Sequence, residues 1–450
     1  MKTKSLFYLI IFIALPINYI FSQIFWEERP QIVSVSLNCI SNYNGINAFI
    51  CGDSGTVLRT VNSGYNWTKV GLNGIPSNVM LGTIYAYDAS RVITAGTSGT
   101  NAVAYLSTNS GSNWSLVFTQ PNTVINEAFL SGVTTAIIIA NPVGGRWSLW
   151  KTTNSGMNWD SIGMYLPQAG SETGFRNSFY NRDSKIWFGT NNSRIYYSSN
   201  TGTNWIAILT NPLINSASVW WDLNPSLSGY AAGASLLKTT NTGTNWITDT
   251  TAIGSGNFNC IVASFQLYNY SWYIRSSSNI YARSNNYYWP WAVNYTAPSG
   301  IYTHIGISRV QMGTGPGWIY AVRNNGGISR GNAIVEGVRI ITDHIPDAYK
   351  LHQNYPNPFN SSTKFKFDAR KLPNTLPGEV RGGSIKLVIY NSLGQEVETL
   401  IDKVLQPAVY EAAWDGSRSS SGVYFYRILV TNPNGCGVVY DAVKKMAMLK

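Results

Sequence analysis

The chain has 450 residues and a formal net charge of +11, yet only 12% of its residues are charged, about half the usual share. Hydrophobic residues make up 44% and aromatic residues 13%, which is enough for a large core. No dense basic run occurs, whereas nucleic-acid binders concentrate their positive charge in a patch. Composition therefore argues against a nucleic-acid partner and favours a strand-rich globular protein.

Residues 1–22 are typical of a secretory signal peptide. A basic start precedes the apolar run Leu6–Leu15, and Ser22 supplies a small residue before a cut that would leave Gln23 first. An uncleaved membrane anchor is the alternative, but the run is short and Pro16 follows it. We expect an exported mature protein with no membrane span, because no other stretch is long and apolar enough.

One short phrase then repeats: Asn, a small polar residue, Gly, any residue, Asn and Trp. Gly takes positive φ without steric cost and Asn tolerates the left-handed region, so the phrase predicts a tight hairpin turn. The Trp after each turn can wedge its ring between neighbouring sheets. Successive copies are 41 to 47 residues apart, the period of four-stranded propeller blades. Their tryptophans are Trp67, Trp114, Trp159, Trp205 and Trp246, and a worn copy adds Trp289.

The number of blades depends on the strand around Trp26. This residue lies 41 positions before Trp67, on the repeat period, although no turn phrase precedes it. We interpret its strand as the outermost strand of a last blade whose other strands include 317–322 and 327–330. Joining the two ends would close the ring and leave no open edge. The sequence thus predicts a seven-bladed β-propeller over residues 23–332, with six blades as the alternative.

The turn phrase resembles the Asp-box, or bacterial neuraminidase repeat, whose usual form is Ser/Thr-x-Asp-x-Gly-x-Thr-Trp. The stretch Thr108–Trp114 matches the small residues, the Gly and the Trp, but has Asn where that family has Asp. The wider unit resembles the β-propellers related to photosystem II stability and assembly factors. This resemblance implies the fold and says little about activity, because Asp-boxes lie on turns remote from the active sites of sialidases.

The repeat period fades after residue 332. We interpret 333–350 as a linker and 351–450 as a small antiparallel β-sandwich, because apolar and polar residues alternate along its strands. Closely spaced prolines restrict the backbone at the start of this segment to extended conformations. The sequence therefore predicts an all-β, two-domain mature protein.

The last hundred residues resemble the type A C-terminal sorting domain of the type IX secretion system. Three spaced motifs carry the resemblance: Asn354–Asn360, Tyr390–Gln395 and Ser421–Tyr426, followed by basic residues at the C-terminus. The resemblance implies that the secretion machinery is a partner, and that the protein passes through the periplasm and outer membrane to a secreted or cell-surface location. The sorting-signal residues it indicates are Tyr355, Pro356, Asn357, Pro358, Gly422, Tyr424, Lys444, Lys445 and Lys450.

Two of the four cysteines, Cys39 and Cys51, flank a short loop and could face each other across a hairpin. They could form a disulfide, but buried free thiols are common and are the alternative. Cys260 lies in a stretch, Phe258–Ile261, that echoes Leu37–Ile40 and favours a shared role in the core.

No catalytic or metal-binding pattern is visible, and no cofactor or metal is expected. The sequence has three histidines and no metal-ligand spacing, and the surroundings of His304 show no nucleophile elbow. Arg176 lacks the context of a sialidase arginine. Paired carboxylates for a hydrolase could come from Asp residues that turns explain equally well; these are Asp53, Asp88, Asp183 and Asp222. We expect no enzyme, and keep a secreted glycan hydrolase and an assembly chaperone for a membrane complex as alternatives.

Binding is the favoured hypothesis. Bends between the second and third strands of each blade should cluster at one end of the ring, and loops carry function. Trp221, Tyr287 and Trp291 could stack on sugar rings there, or could pack between blades. We predict an extracellular glycan or a surface protein as ligand. The candidate ligand-binding residues are Asp53, Asn101, Arg146, Asn191, Arg275 and Arg323.

Overall fold

The computed structural model is built from antiparallel β-strands. No helix long and apolar enough to cross a membrane occurs in its described residues. The predicted signal peptide lies outside them. The structure describes residues 25–161, 163–210, 215–222, 228–264, 270–284, 290–308, 318–332, 338–342, 346–372, 383–405, 407–417, 419–432 and 437–449.

The first strand, β1 (Phe25–Glu28), is followed by sheets in which each strand pairs with its neighbours in sequence. Sheet 1 consists of β2 (Leu37–Asn42), β3 (Ala48–Gly52), β4 (Thr56–Thr60) and β5 (Thr68–Lys69). Sheet 2 consists of β6 (Met80–Ala86), β7 (Val92–Ser98), β8 (Asn101–Ser107) and β9 (Ser115–Pro121). Sheet 3 consists of β10 (Ile125–Leu130), β11 (Ala136–Val143) and β12 (Arg146–Thr152). Two isolated bridges, Lys151 to Asp160 and Arg146 to Pro167, lie where the other sheets have a fourth strand.

Sheets 4 to 6 continue the same order. Sheet 4 consists of β13 (Gly174–Arg182), β14 (Lys185–Thr190), β15 (Arg194–Ser198) and β16 (Ile206–Leu209). Sheet 5 consists of β17 (Ser218–Asp222), β18 (Ser228–Ala232), β19 (Leu236–Thr239) and β20 (Ile247–Thr248). Sheet 6 consists of β21 (Phe258–Ser264), β22 (Tyr270–Arg275), β23 (Asn279–Ser284) and β24 (Ala292–Thr296).

Sheet 7 joins the two ends of this region. Its strands β25 (Tyr302–Ile307), β26 (Trp318–Arg323) and β27 (Ile328–Asn332) are completed by β1. Trp26 lies opposite Gly331 in this pairing, so the strand predicted from the repeat period is found in its predicted place. The described residues between 25 and 332 thus form seven sheets.

The innermost strands of neighbouring sheets are linked by hydrogen bonds. The Ile40 amide donates to Nδ1 of His304 over 3.3 Å, which joins the first sheet to the last. The Ala86 amide donates to the Ser41 hydroxyl over 2.9 Å, and the Ile261 amide to the Ser218 hydroxyl over 3.1 Å. These bonds hold strands from different sheets side by side around a common axis.

The turn phrase has one hydrogen-bonding pattern in all five complete copies. In the first copy, Asn62 Oδ1 accepts bonds from the Asn66 amide and the Thr60 hydroxyl, each over 3.0 Å. The Thr60 hydroxyl in turn accepts the Gly64 amide over 2.9 Å. Ser63 and Gly64 have left-handed φ values of 57° and 75°, so the small polar residue takes this conformation and the Asn before it does not. Gly64 adopts it without steric cost. The Ser or Thr two residues before the Asn is therefore part of the motif.

The tryptophans after the turns reach the preceding sheet, as predicted. Trp114 Nε1 donates to the Val70 carbonyl over 2.9 Å, and Trp159 Nε1 to the Val117 carbonyl over 2.6 Å. Trp289 lies outside the described residues. In sheet 6, Trp291 immediately precedes the outer strand and donates to Asp249 over 3.1 Å, so Trp291 takes the equivalent place.

The C-terminal region forms two four-stranded sheets in the described residues. Their strands are β28 (Val338–Thr342), β29 (Lys350–Leu351), β30 (Ser362–Ala369), β31 (Gly383–Tyr390), β32 (Glu396–Leu405), β33 (Ala408–Asp415), β34 (Gly422–Thr431) and β35 (Val438–Met448). Sheet 8 has the order β28-β33-β30-β29 and sheet 9 the order β32-β31-β34-β35. One hydrophobic core contains buried side chains from both sheets, including Phe365 and Ile389.

Part of the predicted linker belongs to sheet 8. Val338 pairs with Ala412 and Ile340 with Tyr410, so β28 is an edge strand of the C-terminal region. Tyr349 is also buried in its core. A five-residue edge strand offers too short an alternation to be recognised in the sequence, and its partner lies some seventy residues further on.

Candidate functional site

A cavity of about 580 Å³ lies along the axis of the seven sheets. The first strand of every one of these sheets contributes to its wall. The residues that represent β2, β6, β10, β13, β17, β21 and β25 are Cys39, Ile84, Glu127, Asn177, Ser218, Cys260 and His304. Its volume is within the range of about 300–1,000 Å³ that ligand pockets usually have.

The cavity opens where the first strands end. Tyr43, Tyr87, Arg182, Asp183 and Ser308 line it, and each follows or ends a first strand. The repeated turns lie at the same end of the sheets, because turn residues donate to the loops between first and second strands. These bonds are Ser63 to Ile46, Ser110 to Ser90, Ser155 to Thr134 and Thr201 to Ser184, each from a backbone amide to a carbonyl.

The other end is crossed by an irregular part of β13. The register of β13 shifts between Gly174 and Phe179, which leaves the intervening residues outside the ladder. Asn177 Nδ2 donates to the Asn38 carbonyl of sheet 1 over 3.3 Å. The Arg176 side chain lies against Gly82 of sheet 2, where an added Cβ would be 2.7 Å from Arg176 Cδ. Burial lowers the pKa of Arg176 from its usual value. Sheet 4 therefore reaches sheets 1 and 2 across the axis, and the cavity is closed at this end.

Glu127 lies deep in the cavity wall and is 6% exposed. Its carboxylate accepts a bond from the Thr83 hydroxyl and one from the Ala128 amide over 3.1 Å. His304 lines the same cavity, and burial lowers the pKa of its imidazole to about 4. The imidazole is neutral at pH 7, which agrees with its Nδ1 accepting the Ile40 amide. Sequence reasoning did not bring Glu127 and His304 together, because no local motif connects them.

The two cysteines among the described lining residues, Cys39 and Cys260, occupy equivalent positions, just after a shift in strand register. Cys39 lies opposite Cys51 as the spacing predicts, and both thiols are free and buried. Burial, together with Cys51 and Glu127, raises the pKa of Cys39 well above its usual value. Cys260 donates to the Ile305 carbonyl over 3.5 Å, and burial raises its pKa to about 11. The shared core role expected for these residues is consistent with the structure.

Partly exposed aromatic rings line the cavity between its closed end and its opening. We call Tyr43, Tyr85, Tyr87, Tyr180 and Trp220 the aromatic wall. The ring centroids of Tyr180 and Trp220 are 4.7 Å apart with planes at 63°, and Asn181 Nδ2 donates to the Tyr85 hydroxyl over 3.2 Å. Trp221 also borders the cavity, but its side chain is buried and packs on Trp187 of sheet 4. Trp291 does not line the cavity and is buried against Tyr273.

The six predicted ligand-binding residues all lie at or next to bends between second and third strands, at the end away from the cavity opening. Asn101 and Arg146 are exposed there. Asp53 accepts a bond from Asn38 over 2.8 Å, and Asn191 accepts the Thr173 amide over 2.8 Å. None of these four lines the cavity.

The other two predicted residues are buried and hold parts of the fold together. Arg275 is 8% exposed and donates to the Gly256 carbonyl over 2.8 Å while its guanidinium covers the Phe258 ring at 4.1 Å. Arg323 is 3% exposed and forms an ion pair with Glu28. Their side chains therefore lie in internal contacts, and neither contributes to the cavity wall.

Four residues of the predicted sorting signal, from Tyr355 to Pro358, lie in the segment between β29 and β30. Asn354 is 2% exposed and its Nδ2 donates to the Pro356 carbonyl over 3.1 Å and to the Thr363 hydroxyl over 2.9 Å. Asn357 Oδ1 accepts the Ala447 amide over 2.9 Å, which joins the loop to β35.

The remaining sorting-signal residues differ in exposure. Tyr424 is 8% exposed and its ring lies edge-on to Trp414, with centroids 5.3 Å apart. Lys444 is half-buried, and Lys450 lies outside the described residues. Those exposed to solvent are Tyr355, Pro356, Asn357, Pro358, Gly422 and Lys445.

Metal-binding chemistry has no visible basis in the part of the chain that the structure describes. Groups of three or more His, Cys, Asp or Glu side chains that could hold a metal ion do not occur there.

Comparison with protein families assigns the C-terminal region. Residues 353–434 match the family model of the secretion system C-terminal sorting domain. This sorting domain indicates export by the type IX system, followed by secretion or attachment to the cell surface. A comparison with curated proteins found no match.

Solved structures similar to the chain include two of YCF48, a β-propeller that is a photosystem II assembly factor. One is described as YCF48 bound to D1 peptide, with 14% identity and a TM-score of 0.52; the match covers 68% of this chain and 96% of that chain. Another is YCF48 from Cyanidioschyzon merolae, with 14% identity and a TM-score of 0.53; it covers 68% of this chain and 98% of that chain. At this identity the likeness concerns the fold, which is β-propeller-like.

Proposed function

We propose that the protein is an exported binding protein: a seven-bladed β-propeller that recognises an extracellular glycan or surface protein, carried outside the cell by a C-terminal β-sandwich. The seven sheets with β1 in the last of them, and the single core between sheets 8 and 9, support this architecture. The ligand site is the axial cavity, because it is concave, closed at one end and partly aromatic.

The titratable side chains of the cavity favour binding over catalysis. Glu127 already accepts hydrogen bonds from Thr83 and Ala128, and His304 Nδ1 accepts the Ile40 amide. A glycan hydrolase needs two carboxyl groups on either side of the scissile bond. Asp183, the other carboxylate of the wall, lies exposed at the opening, whereas Glu127 lies deep in the cavity. We therefore favour a site that recognises its ligand and leaves it unchanged.

A binding screen with the mature chain, residues 23–450, tests this proposal. We expect retention of one class of immobilised glycan or purified outer-membrane protein, and we expect the recovered ligand to be chemically unchanged. The Asn181→Trp variant, which places a large ring at the cavity opening, is the companion measurement. A ligand that is cleaved, or one that Asn181→Trp binds as well as the wild type, would contradict the proposal.

A further inference from the structure

We propose that the secretion machinery recognises a composite surface at one end of the folded C-terminal region, rather than a linear peptide at the C-terminus. The surface combines exposed side chains from four separate segments: the loop before β30, the turn after β31, the start of β34 and the end of β35. This inference concerns a different part of the chain from the axial cavity. It does not depend on the ligand that the cavity binds.

Strand pairing brings the four segments to the same end. In sheet 9, Gly422 at the start of β34 lies opposite Met448 at the end of β35, and Tyr390 at the end of β31 lies opposite Phe425. Gly416, just after β33 of sheet 8, lies against Met448, since a Cβ added at Gly416 would be 2.8 Å from Met448 Sδ. The two sheets therefore end together, and their segments form one surface.

Hydrogen bonds join the loop before β30 to the end of β35. The Phe359 amide donates to the Ala447 carbonyl over 3.0 Å, and the Leu449 amide donates to the Phe359 carbonyl over 2.9 Å. Asn357 Oδ1 accepts the Ala447 amide over 2.9 Å. The last strand thus fixes the position of the loop, so a partner that reaches one of them also meets the other.

Large apolar side chains are exposed at this end. Among the described residues of the C-terminal region, seven such side chains are exposed, and two of them, Val443 and Val438, lie in the middle and at the start of β35. Clustered exposed apolar side chains mark interaction sites. The other five lie at the end described above and are called the signal patch: Tyr355, Leu393, Val397, Val423 and Leu449.

The family match indicates what covers the signal patch. Residues 353–434 match the sorting domain and include Tyr355, Leu393 and Val423, so three of the four segments belong to the part that defines this domain. The fourth segment, at the end of β35, is bonded to the first. A sorting domain is handled by the secretion machinery, which is therefore the partner that we assign to the patch.

The charges around the signal patch favour a protein surface over a lipid surface. Lys445 on β35, Glu396 on β32 and Asp415 on β33 are all exposed near this end, so both signs of charge border the patch. A lipid-binding surface carries mainly Lys and Arg around its apolar side chains. An apolar centre with a mixed polar rim is typical of a protein–protein interface. The partner should offer apolar grooves for the Tyr and Leu side chains.

The test is secretion of the full chain from a bacterium with a functional type IX system. Tyr355→Ala, Leu393→Ser and Leu449→Ser should each lower the secreted fraction about fivefold or more, with the protein retained in the periplasm. Val438→Ser is the matched control, because Val438 is 63% exposed but lies at the start of β35. It should be secreted like the wild type, and thermal melts of the purified variants should match that of the wild type.

A photo-reactive phenylalanine analogue at position 393 identifies the partner. We expect it to cross-link to an outer-membrane component of the secretion machinery, whereas the same analogue at position 438 should not. Normal secretion of Tyr355→Ala and Leu393→Ser, with a defect in Leu449→Ser alone, would mean that a linear terminus is recognised. That result would overturn the inference.

Two other occupants of the signal patch are also tested. A wild-type dimer that Leu393→Ser dissociates, or binding to protein-free vesicles of outer-membrane phospholipid that Leu393→Ser abolishes, would also overturn the inference. The cavity ligand should bind all of these variants as it binds the wild type. Failure of this inference is therefore distinguishable from failure of the proposed binding function.

Discussion

Trp26 lies directly opposite Gly331, so the first described strand completes the sheet made by the last strands of the repeats. The indole ring of Trp26 occupies the space that a side chain at position 331 would need, because a Cβ at Gly331 would be 2.9 Å from its indole atoms. Trp26 Nε1 also donates to Asn294 of sheet 6 over 2.6 Å. One residue thus joins the two ends of the region to a neighbouring sheet.

Gly331→Ala should lower the free energy of unfolding by about 1–3 kcal/mol, because the added methyl must displace the buried Trp26 ring. Urea denaturation of the mature chain measures the change. Gly132→Ala is the control, since its added Cβ would have its nearest contact at 3.6 Å and no left-handed φ is involved. That variant should lie within about 0.5 kcal/mol of the wild type. Equal stability of all three proteins would mean that Trp26 does not lie against Gly331.

The ion pair between Glu28 and Arg323 makes a pH-dependent contribution to the stability of the folded state, and it joins β1 to sheet 7. Burial alone would raise the pKa of Glu28, but hydrogen bonds from Arg323, Ser329 and Tyr295 and the charge of Arg323 lower it below its usual value of 4.5. A carboxyl group with a lowered pKa stabilises the folded state above its unfolded pKa, and this contribution is lost as the pH falls through the folded value. The wild type should therefore lose stability below about pH 4.5.

Glu28→Gln should cost about 1.5–3 kcal/mol at pH 7, because it leaves the buried Arg323 without its countercharge. The difference from the wild type should shrink as the pH falls below about 4.5. Asp402→Asn is the control, since Asp402 is 63% exposed and 3.8 Å from Lys386. Exposed pairs of this kind contribute about 0–1 kcal/mol. A Glu28→Gln penalty that is the same at pH 3 and pH 7 would contradict the role of this carboxylate.

The thiols of Cys39 and Cys51 should remain unlinked in the exported protein, although export passes through an oxidising compartment. Both are buried, and the raised pKa of Cys39 keeps it protonated and unreactive. Alkylation under native conditions should be slow, and alkylation in denaturant should label both residues. Mass spectrometry of the unreduced protein decides the matter, and a peptide pair joined through Cys39 and Cys51 would contradict this prediction.

Two variants of the sorting domain can separate the stability of its fold from its recognition by the secretion machinery. Asn354→Ala should destabilise the C-terminal region by about 1–3 kcal/mol and lower secretion, because Asn354 is buried and bonds Pro356 and Thr363. Tyr355→Ala should leave the melting temperature unchanged, since Tyr355 is 80% exposed. Secretion and thermal unfolding are measured side by side. Tyr355→Ala protein that is unstable, or Asn354→Ala protein that is as stable as the wild type, would refute the assignment of these two roles.

Features that recur in the sequence were predicted well, because repetition exposes them. The turn phrase and the period gave the place of Trp26 and the wedge role of Trp114, both of which the structure contains. The sorting domain was recognised because several motifs are close in sequence. The role of Trp291 was harder to predict, because Trp289 and Trp291 fit the period of this degenerate copy about equally. Only the structure shows the hydrogen bond from Trp291 to Asp249.

The cavity could not be predicted from the sequence, because its parts come from different sheets. Asn177 crosses to Asn38 through a shift in the register of β13, and no pattern in the sequence marks such a shift. The bends between second and third strands were a reasonable place to predict ligand-binding residues, because binding residues often lie in loops. Arg323 was chosen from such a bend, yet its side chain turns inward to Glu28, since a buried charge needs a partner.

The most direct test of the binding account is the dissociation constant of the strongest ligand from the screen, measured by calorimetry for wild type and Asn181→Trp. Tyr165→Trp, an equally large ring outside the cavity wall, is the control. The account predicts that Asn181→Trp weakens binding at least about tenfold while Tyr165→Trp does not. Equal affinity of the wild type and a folded Asn181→Trp would contradict it.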